Sequence, residues 1–189
     1  MIDPYKTCPV YKNENYLLRL VEISDAPDLL LVYSDEKAVP FFNSDNCNGD
    51  DFYYTSLKRM QDAINFWLWA YNDNGFVRWT IVDKRIPQAV GTIELFNRRA
   101  KDYFNDCGLL RLDLKSSYEY EESIFEILSL ITLPAFELFQ CKMVATKVPS
   151  FALERKKAVK RLGFVRSEET LTGGEDQKVY TDYYILRKE

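Results

Sequence analysis

Residues 108–164 read GLLRLDLKSSYEYEESIFEILSLITLPAFELFQCKMVATKVPSFALERKKAVKRLGF, and this stretch decides the fold. Apolar periodicity predicts four elements in it: strand Gly108 to Leu114, helix Glu122 to Phe139, strand Lys142 to Val148 and helix Ala152 to Leu162. Pro134 predicts a kink in the first helix, and Gly163 suits a left-handed stop after the second. The first turn of such a unit could hold an anionic ligand.

The composition limits the kind of protein. With 189 residues, 47% of them hydrophobic, we expect a single domain over residues 1–189. The net charge of −4 argues against a nucleic-acid surface, which needs a basic excess. The chain contains no histidine and only four scattered cysteines, so neither a metal site nor a histidine-based triad is expected. Reduced thiols and a polar N-terminus predict a cytoplasmic protein without a membrane partner.

The rest of the chain supplies a sheet and two helices. The patterns predict strand Tyr16 to Ile23, a helix starting near Ser24, helix Ser56 to Tyr71, an antiparallel hairpin of Phe76 to Asp83 with Ala89 to Phe96, and final strands Phe164 to Ser167 and Lys178 to Leu186.

Between the first two helices lies a long segment, Asp35 to Tyr54, that mixes turn formers with aromatic residues. Two interpretations stay open for it. The segment could pack back onto the core, or it could form the wall of a ligand cleft, since long loops are often functional.

Three strings, in this order and spacing, resemble the GNAT superfamily of acetyl-coenzyme A-dependent N-acetyltransferases: YLLRLVEISDAPDLLLVYSDEKAV, WTIVDKRIPQAVGTIELF and LPAFELFQCKMVATKVPSFALERKKAVKRLGF. The resemblance covers roughly residues 16–186 and points to the branch that acetylates N-terminal amines of ribosomal proteins. It implies an α/β fold with a central mixed, mostly antiparallel twisted sheet of about seven strands, flanked by about four helices.

The resemblance also implies a cofactor cleft. In the family, two central strands splay apart, and the pantetheine arm of acetyl-CoA bonds along the open strand edge, here Leu112 to Leu114. The pyrophosphate lies over the loop Ser116 to Ser123, at a helix amino end. The candidate cofactor-binding residues are therefore Leu112, Leu114, Lys115, Ser116, Ser117, Glu121, Glu122, Ser123, Arg155 and Lys156.

The loop departs from the family pattern, because Tyr120, Glu121 and Glu122 hold the positions of two glycines around a basic residue. Side chains there would block close approach of the backbone to phosphate. No glycine occurs between Gly108 and Gly163, so realignment cannot restore the motif. The carboxylates could instead cap the helix, and the basic residues around Arg155 could be a solvated face, could meet phosphates, or could pair with the glutamates and close the site.

Acetyl transfer to an amine needs a base and an acid. The candidate bases are Glu94 and Asp113, and the candidate acids are Tyr118 and Tyr120. Glu94 could also be an ordinary solvent-exposed strand carboxylate. The tyrosine and the asparagine that many relatives carry in the last helix are replaced by Val159 and Ala152.

Two functions follow. One is an N-acetyltransferase that moves an acetyl group from acetyl-CoA to a protein N-terminus or small amine. The other is a non-catalytic GNAT-fold binding module that has lost normal acetyl-CoA binding, with the aromatic loop lining its ligand site. A monomer or a homodimer is expected, the latter if Tyr183 and Tyr184 are exposed on a terminal strand.

Overall fold

The computed structural model describes residues 3–188 and contains one large sheet. Its eight strands run in the order β1-β2-β3-β4-β5-β6-β10-β7. They are β1 (Tyr11–Lys12), β2 (Tyr16–Leu20), β3 (Val77–Asp83), β4 (Gln88–Arg98), β5 (Cys107–Leu114), β6 (Met143–Lys147), β7 (Val165–Arg166) and β10 (Tyr183–Arg187). A separate hairpin joins β8 (Leu171–Thr172) to β9 (Val179–Tyr180). All neighbouring strands are antiparallel except β5 and β6, which are parallel.

The helices are α1 (Ala26–Tyr33), α2 (Leu57–Asn72), α3 (Glu121–Ser129), α4 (Thr132–Leu138) and α5 (Leu153–Arg161). Helix α2 begins as predicted, because the Ser56 hydroxyl accepts a bond from the Arg59 amide at 3.2 Å. Gly163 adopts a φ of 92° just after α5, which confirms the predicted left-handed stop.

The sheet has two unlike faces, because side chains alternate along each strand. Val77, Trp79 and Ile81 of β3 belong to a large apolar cluster with residues of α3, α4 and α5. The intervening Arg78 and Thr80 are equally buried and face the side of α1 and α2. The α1 and α2 side therefore combines an apolar cluster of its own with charged strand residues.

Three predictions about the elements are corrected. The long helix over residues 122–139 is two helices that break at Leu130 and Ile131, and Pro134 lies in the first turn of α4, where a proline needs no amide partner. The last strand is divided into β9 and β10, because Asp182 between them has a φ of 66°. Tyr183 and Tyr184 are buried, since β10 lies between β6 and β7 and not at the sheet edge.

Among residues 3–188, none of the helices has both the length and the apolar content needed to span a bilayer.

Candidate cofactor cleft and neighbouring cavity

Strands β5 and β6 separate part-way along their length. Gly108, Leu109 and Leu110 pair with residues of β6, but the remaining part of β5, Arg111 to Leu114, has no β6 partner in the described sheet. The carbonyl groups on this edge are therefore available to another group.

That group is the side chain of Arg155, which enters the gap from α5. Its Nη1 donates to the carbonyl oxygens of Leu112, at 3.1 Å, and of Phe41, at 2.9 Å. Its Nε and Nη2 bond to both carboxylate oxygens of Glu119. The side chains of Arg155 and Glu119 are only 3% and 4% exposed. A buried, bidentate ion pair thus lies against the unpaired part of β5 and is bonded to its Leu112 carbonyl.

The amino end of α3 also has a partner from α5. The amide of Glu121 donates to Glu154 Oε2 at 3.1 Å, so a carboxylate occupies this positively polarised helix end. Glu154 is paired in turn with Lys157 Nζ at 2.6 Å. Arg161 bonds to Glu122 at 2.6 Å, which links the same two helices a second time. Of the interpretations of the basic helix, pairing with a loop glutamate holds for Arg155, whereas Lys157 pairs within α5 and Lys156 bonds to the Ser150 carbonyl.

The other predicted cofactor residues have varied surroundings. The amide of Lys115 donates to the Val90 carbonyl at 3.0 Å, and the amide of Ser116 donates to Asp35 at 2.9 Å. The Ser123 hydroxyl is 2.8 Å from that of Tyr16, and Lys156 Nζ donates to the Ser150 carbonyl. Leu114 is buried, and Ser117 is exposed.

The two predicted bases lie in one buried ionic network. Glu94 is 2% exposed, and its two carboxylate oxygens bind the guanidinium groups of Arg78 and Arg111. Glu94 is therefore not a solvent-exposed strand carboxylate. Asp113 Oδ2 accepts from the Tyr33 hydroxyl at 2.8 Å and from Arg78 Nη1 at 3.2 Å.

Burial and charge move the pKa values of these carboxyls in opposite directions. Burial disfavours the ionised Glu94, but the charges of Arg111 and Arg78 outweigh it and hold the pKa of Glu94 below its usual value. Burial dominates at Asp113 and raises its pKa, although Arg78 opposes the shift. Both groups are closed off from solvent.

The two predicted acids are separate from this network. The Tyr118 hydroxyl donates to Asp83 Oδ2 at 2.8 Å, and its ring meets that of Tyr16 edge to face. Burial and the Asp83 carboxylate raise the pKa of Tyr118. Tyr120 is 43% exposed. The structure thus brings Glu94 and Asp113 together but places neither tyrosine beside them.

A cavity of about 600 Å³ opens next to the network, on the α1 and α2 side. Its lining includes residues of the aromatic segment such as Asn46 and Phe52, one side of α2, and the charged floor of Arg78, Glu94 and Arg111. Phe42, Phe52 and Tyr54 of the segment are buried. The segment therefore does both things proposed for it, since it packs onto the core and forms a cavity wall.

Comparisons with known proteins agree on the architecture. A proposed ribosomal-protein-serine acetyltransferase from Vibrio cholerae superposes with a TM-score of 0.71 at 13% identity, covering 99% of this chain and 100% of that one. An acetyltransferase of the GNAT family from Bacillus anthracis gives a TM-score of 0.68 at 12% identity, covering 95% and 98%. The chain has the GNAT fold.

A third GNAT-fold structure was solved with coenzyme A. This is RimL, a ribosomal L7/L12 alpha-N-protein acetyltransferase, with a TM-score of 0.69 at 12% identity, covering 95% of this chain and 98% of that one. No protein-family model matches the chain, and no curated protein matches its sequence.

The residues in this GNAT cleft do not fit acetyl-CoA as they are arranged. The Leu112 carbonyl on the splayed edge is bonded to Arg155, and the Glu121 amide at the helix end is bonded to Glu154. Both groups predicted from the family resemblance to bind the cofactor are therefore satisfied from within the chain.

Sequence reasoning missed Arg78, Arg111, Tyr33 and Glu154. A signal for the first two was present, because Arg78 lies opposite Glu94 and Glu94 lies opposite Arg111 in the strand register. Charged residues at facing positions inside three otherwise apolar strands indicate such a row. Glu154 had no comparable signal, since its contact depends on how α3 and α5 cross.

Proposed function

We propose that this chain is a GNAT-fold binding protein that carries out no acetyl transfer, because its own side chains close the acetyl-CoA cleft. The observation that carries the proposal is the buried pair of Arg155 and Glu119 in the gap between β5 and β6, with Arg155 bonded to the Leu112 carbonyl.

Opening the cleft would be expensive. Withdrawing Arg155 would leave the Glu119 carboxylate buried without its partner, and breaking a buried pair in this way costs about 3–5 kcal/mol. That cost corresponds to an affinity loss of about 10²–10⁴-fold. Glu154 would have to leave the amino end of α3 as well. Side chains at Tyr120, Glu121 and Glu122, in the place of the family's glycines, add to the barrier because they keep phosphate from the backbone.

Calorimetric titration with acetyl-CoA tests the proposal. We expect no binding up to about 1 mM cofactor, whereas micromolar binding would overturn the proposal. A second measurement follows labelled acetyl transfer to peptides with free N-termini and to small amines, and it should give no product above the rate without protein.

N-acetyltransferase activity toward a protein N-terminus or small amine, with acetyl-CoA as donor, is the second candidate. The full-length likeness to GNAT acetyltransferases, one of them solved with coenzyme A, favours it. In that case Glu94 or Asp113 would be the base and Tyr118 or Tyr120 the acid. Unchanged transfer rates in both Glu94→Gln and Asp113→Asn would reject the base assignment. For either function we infer a single cytoplasmic domain, and the burial of Tyr183 and Tyr184 removes the feature that predicted a homodimer and favours a monomer.

A further inference from the structure

We propose that the cavity beside the Arg78, Glu94 and Arg111 floor binds an organic cation joined to a flat apolar group. The inference deepens the proposed function and rests on it, since it names the class of ligand that a cofactor-free GNAT fold would take here. The cavity has a volume of about 600 Å³, which lies within the range of small-molecule sites.

The outer wall of the cavity offers an aromatic surface. Phe66 and Trp69 of α2 are 54% and 60% exposed, and their rings stack with centroids 5.7 Å apart. Phe76 lies 6.2 Å from Phe66 and continues the surface toward the floor. Exposed neighbouring aromatic rings of this kind are typical of binding sites.

The aromatic rings deeper in the cavity already contact guanidinium groups of the protein. The Arg78 guanidinium lies 4.1 Å from the centre of the Trp67 ring, and that of Arg59 lies 4.2 Å from the centre of Tyr54. A ligand with a flat group is therefore directed to Phe66 and Trp69, where it can stack and be covered on one side.

The charges of the cavity select a cation. At the floor, Arg78 and Arg111 are both paired with Glu94, and Arg78 also contacts Asp113. Arg59 is paired with Asp50 at 2.6 Å. Within residues 3–188, two further lining carboxylates, Asp73 and Glu175, form no ion pair and are exposed.

We call Asp73 and Glu175 the rim of the cavity, and the position of Asp73 adds to its negative charge. Asp73 is the C-cap of α2, so it adds its charge to the negative end of the helix dipole. A positive group near Asp73 would meet its carboxylate and the helix end, and Glu175 adds a second negative charge to the lining. An anion at the same place would be repelled by these negative charges.

The floor does not offer an alternative anion site. The Nε atoms of Arg78 and Arg111 lack a hydrogen-bond partner among the described residues, but both are covered from solvent. An acceptor bound in the cavity therefore does not reach them in this arrangement.

Benzyltrimethylammonium is the probe that tests the inference. It carries a flat ring and a fixed positive charge, and it has no N–H to acetylate, so its binding is read independently of any activity. Tryptophan fluorescence reports it, because Trp67 and Trp69 line the cavity while Trp79 is fully buried elsewhere. We expect saturable quenching, at least about tenfold weaker binding of tetramethylammonium, and no binding of benzoate.

Variants test whether the probe binds at the rim carboxylates and at the exposed aromatic wall. Asp73→Asn combined with Glu175→Gln should weaken the probe about tenfold, and Trp69→Ala should do so to a similar extent. Asp62→Asn is the matched control, since Asp62 lies on α2 outside the cavity lining and pairs with Lys58. Its affinity should equal that of the unmodified chain.

The inference is overturned if benzoate binds as well as the cation, if the cation fails to bind at about 10 mM, or if the rim variant and the control bind equally. These outcomes are separate from the acetyl-CoA titration. Cofactor binding together with cation binding would reject only the proposed function, and absence of both would reject only the cation site.

Discussion

The guanidinium of Arg155 lies 3.1 Å from the carbonyl oxygen of Leu112, on the strand edge that a GNAT fold leaves open. A side chain thus supplies a donor to a carbonyl that has no partner on β6. The same guanidinium neutralises the buried Glu119. One residue therefore satisfies the splayed strand and compensates a buried charge, and this double role makes its contacts costly to break.

A double-mutant cycle measures this cost. Arg155→Met should destabilise the fold by about 3–5 kcal/mol, because it leaves the Glu119 carboxylate buried and unpaired. Burial already raises the pKa of Glu119 even with Arg155 in place. The measurement is urea unfolding at neutral pH.

The double variant Arg155→Met with Glu119→Met is the control for that charge. It should be more stable than Arg155→Met alone, since no charge is left without a partner. Equal stability of the two variants would contradict a penalty for the unpaired Glu119 carboxylate, and Glu119→Met alone completes the cycle that gives the coupling energy.

Glu94 should contribute strongly to the stability of the fold even if it has no catalytic role. Glu94→Gln keeps the shape of the side chain but leaves Arg78 and Arg111 facing each other with their shared counter-charge removed. We expect a loss of about 3–5 kcal/mol in urea unfolding. Glu168→Gln, at a side chain that is 85% exposed, should change stability by less than about 0.5 kcal/mol. A stable Glu94→Gln protein would contradict the buried network.

Asp83 should make stability fall in acid. Hydrogen bonds from Arg85 lower the pKa of Asp83 to about 2 from 3.8, and the Tyr118 hydroxyl contributes. Because the folded pKa is the lower one, its stabilisation is present above the unfolded pKa and is lost as pH falls from about 4 to 2.

Asp83→Asn should therefore reduce proton uptake on unfolding in this interval by up to about one proton. The slope of the unfolding free energy against pH measures this uptake. Tyr118→Phe is the milder comparison, since it retains Arg85. An unchanged slope in Asp83→Asn would contradict the lowered pKa.

The sequence predicted the positions of strands and helices better than the side-chain contacts of the candidate site. Strand and helix positions follow from apolar periodicity, which acts locally, so α2, β5 and the stop at Gly163 were found. The sequence predicted a kink at Pro134 within one long helix. The chain instead breaks before α4, and Pro134 lies in the first turn of that helix. The pairing of Arg155 with Glu119 joins residues 36 positions apart. It depends on side-chain direction and helix crossing, which periodicity does not encode.

A glycine on β4 should control the splayed edge directly. A Cβ atom at Gly91 would lie 3.1 Å from the Cα of Leu114 and closer still to the carbonyl oxygen of Asp113. Both neighbours are backbone atoms of β5, so no side chain can move aside to relieve the clash. Gly91→Ala should cost about 1–3 kcal/mol and shift the edge that Arg155 occupies.

Gly174→Ala is the matched control, because a Cβ there meets nothing within 4 Å. It should stay within about 0.5 kcal/mol of the unmodified chain in urea unfolding. Gly91 lies opposite Leu114 in the register of β4 and β5. If the two variants were equally stable, the two strands would have to move apart at this pair at little cost in free energy. The β5 edge at Leu112 would then be easy to displace, and acetyl-CoA would meet a smaller barrier to binding there.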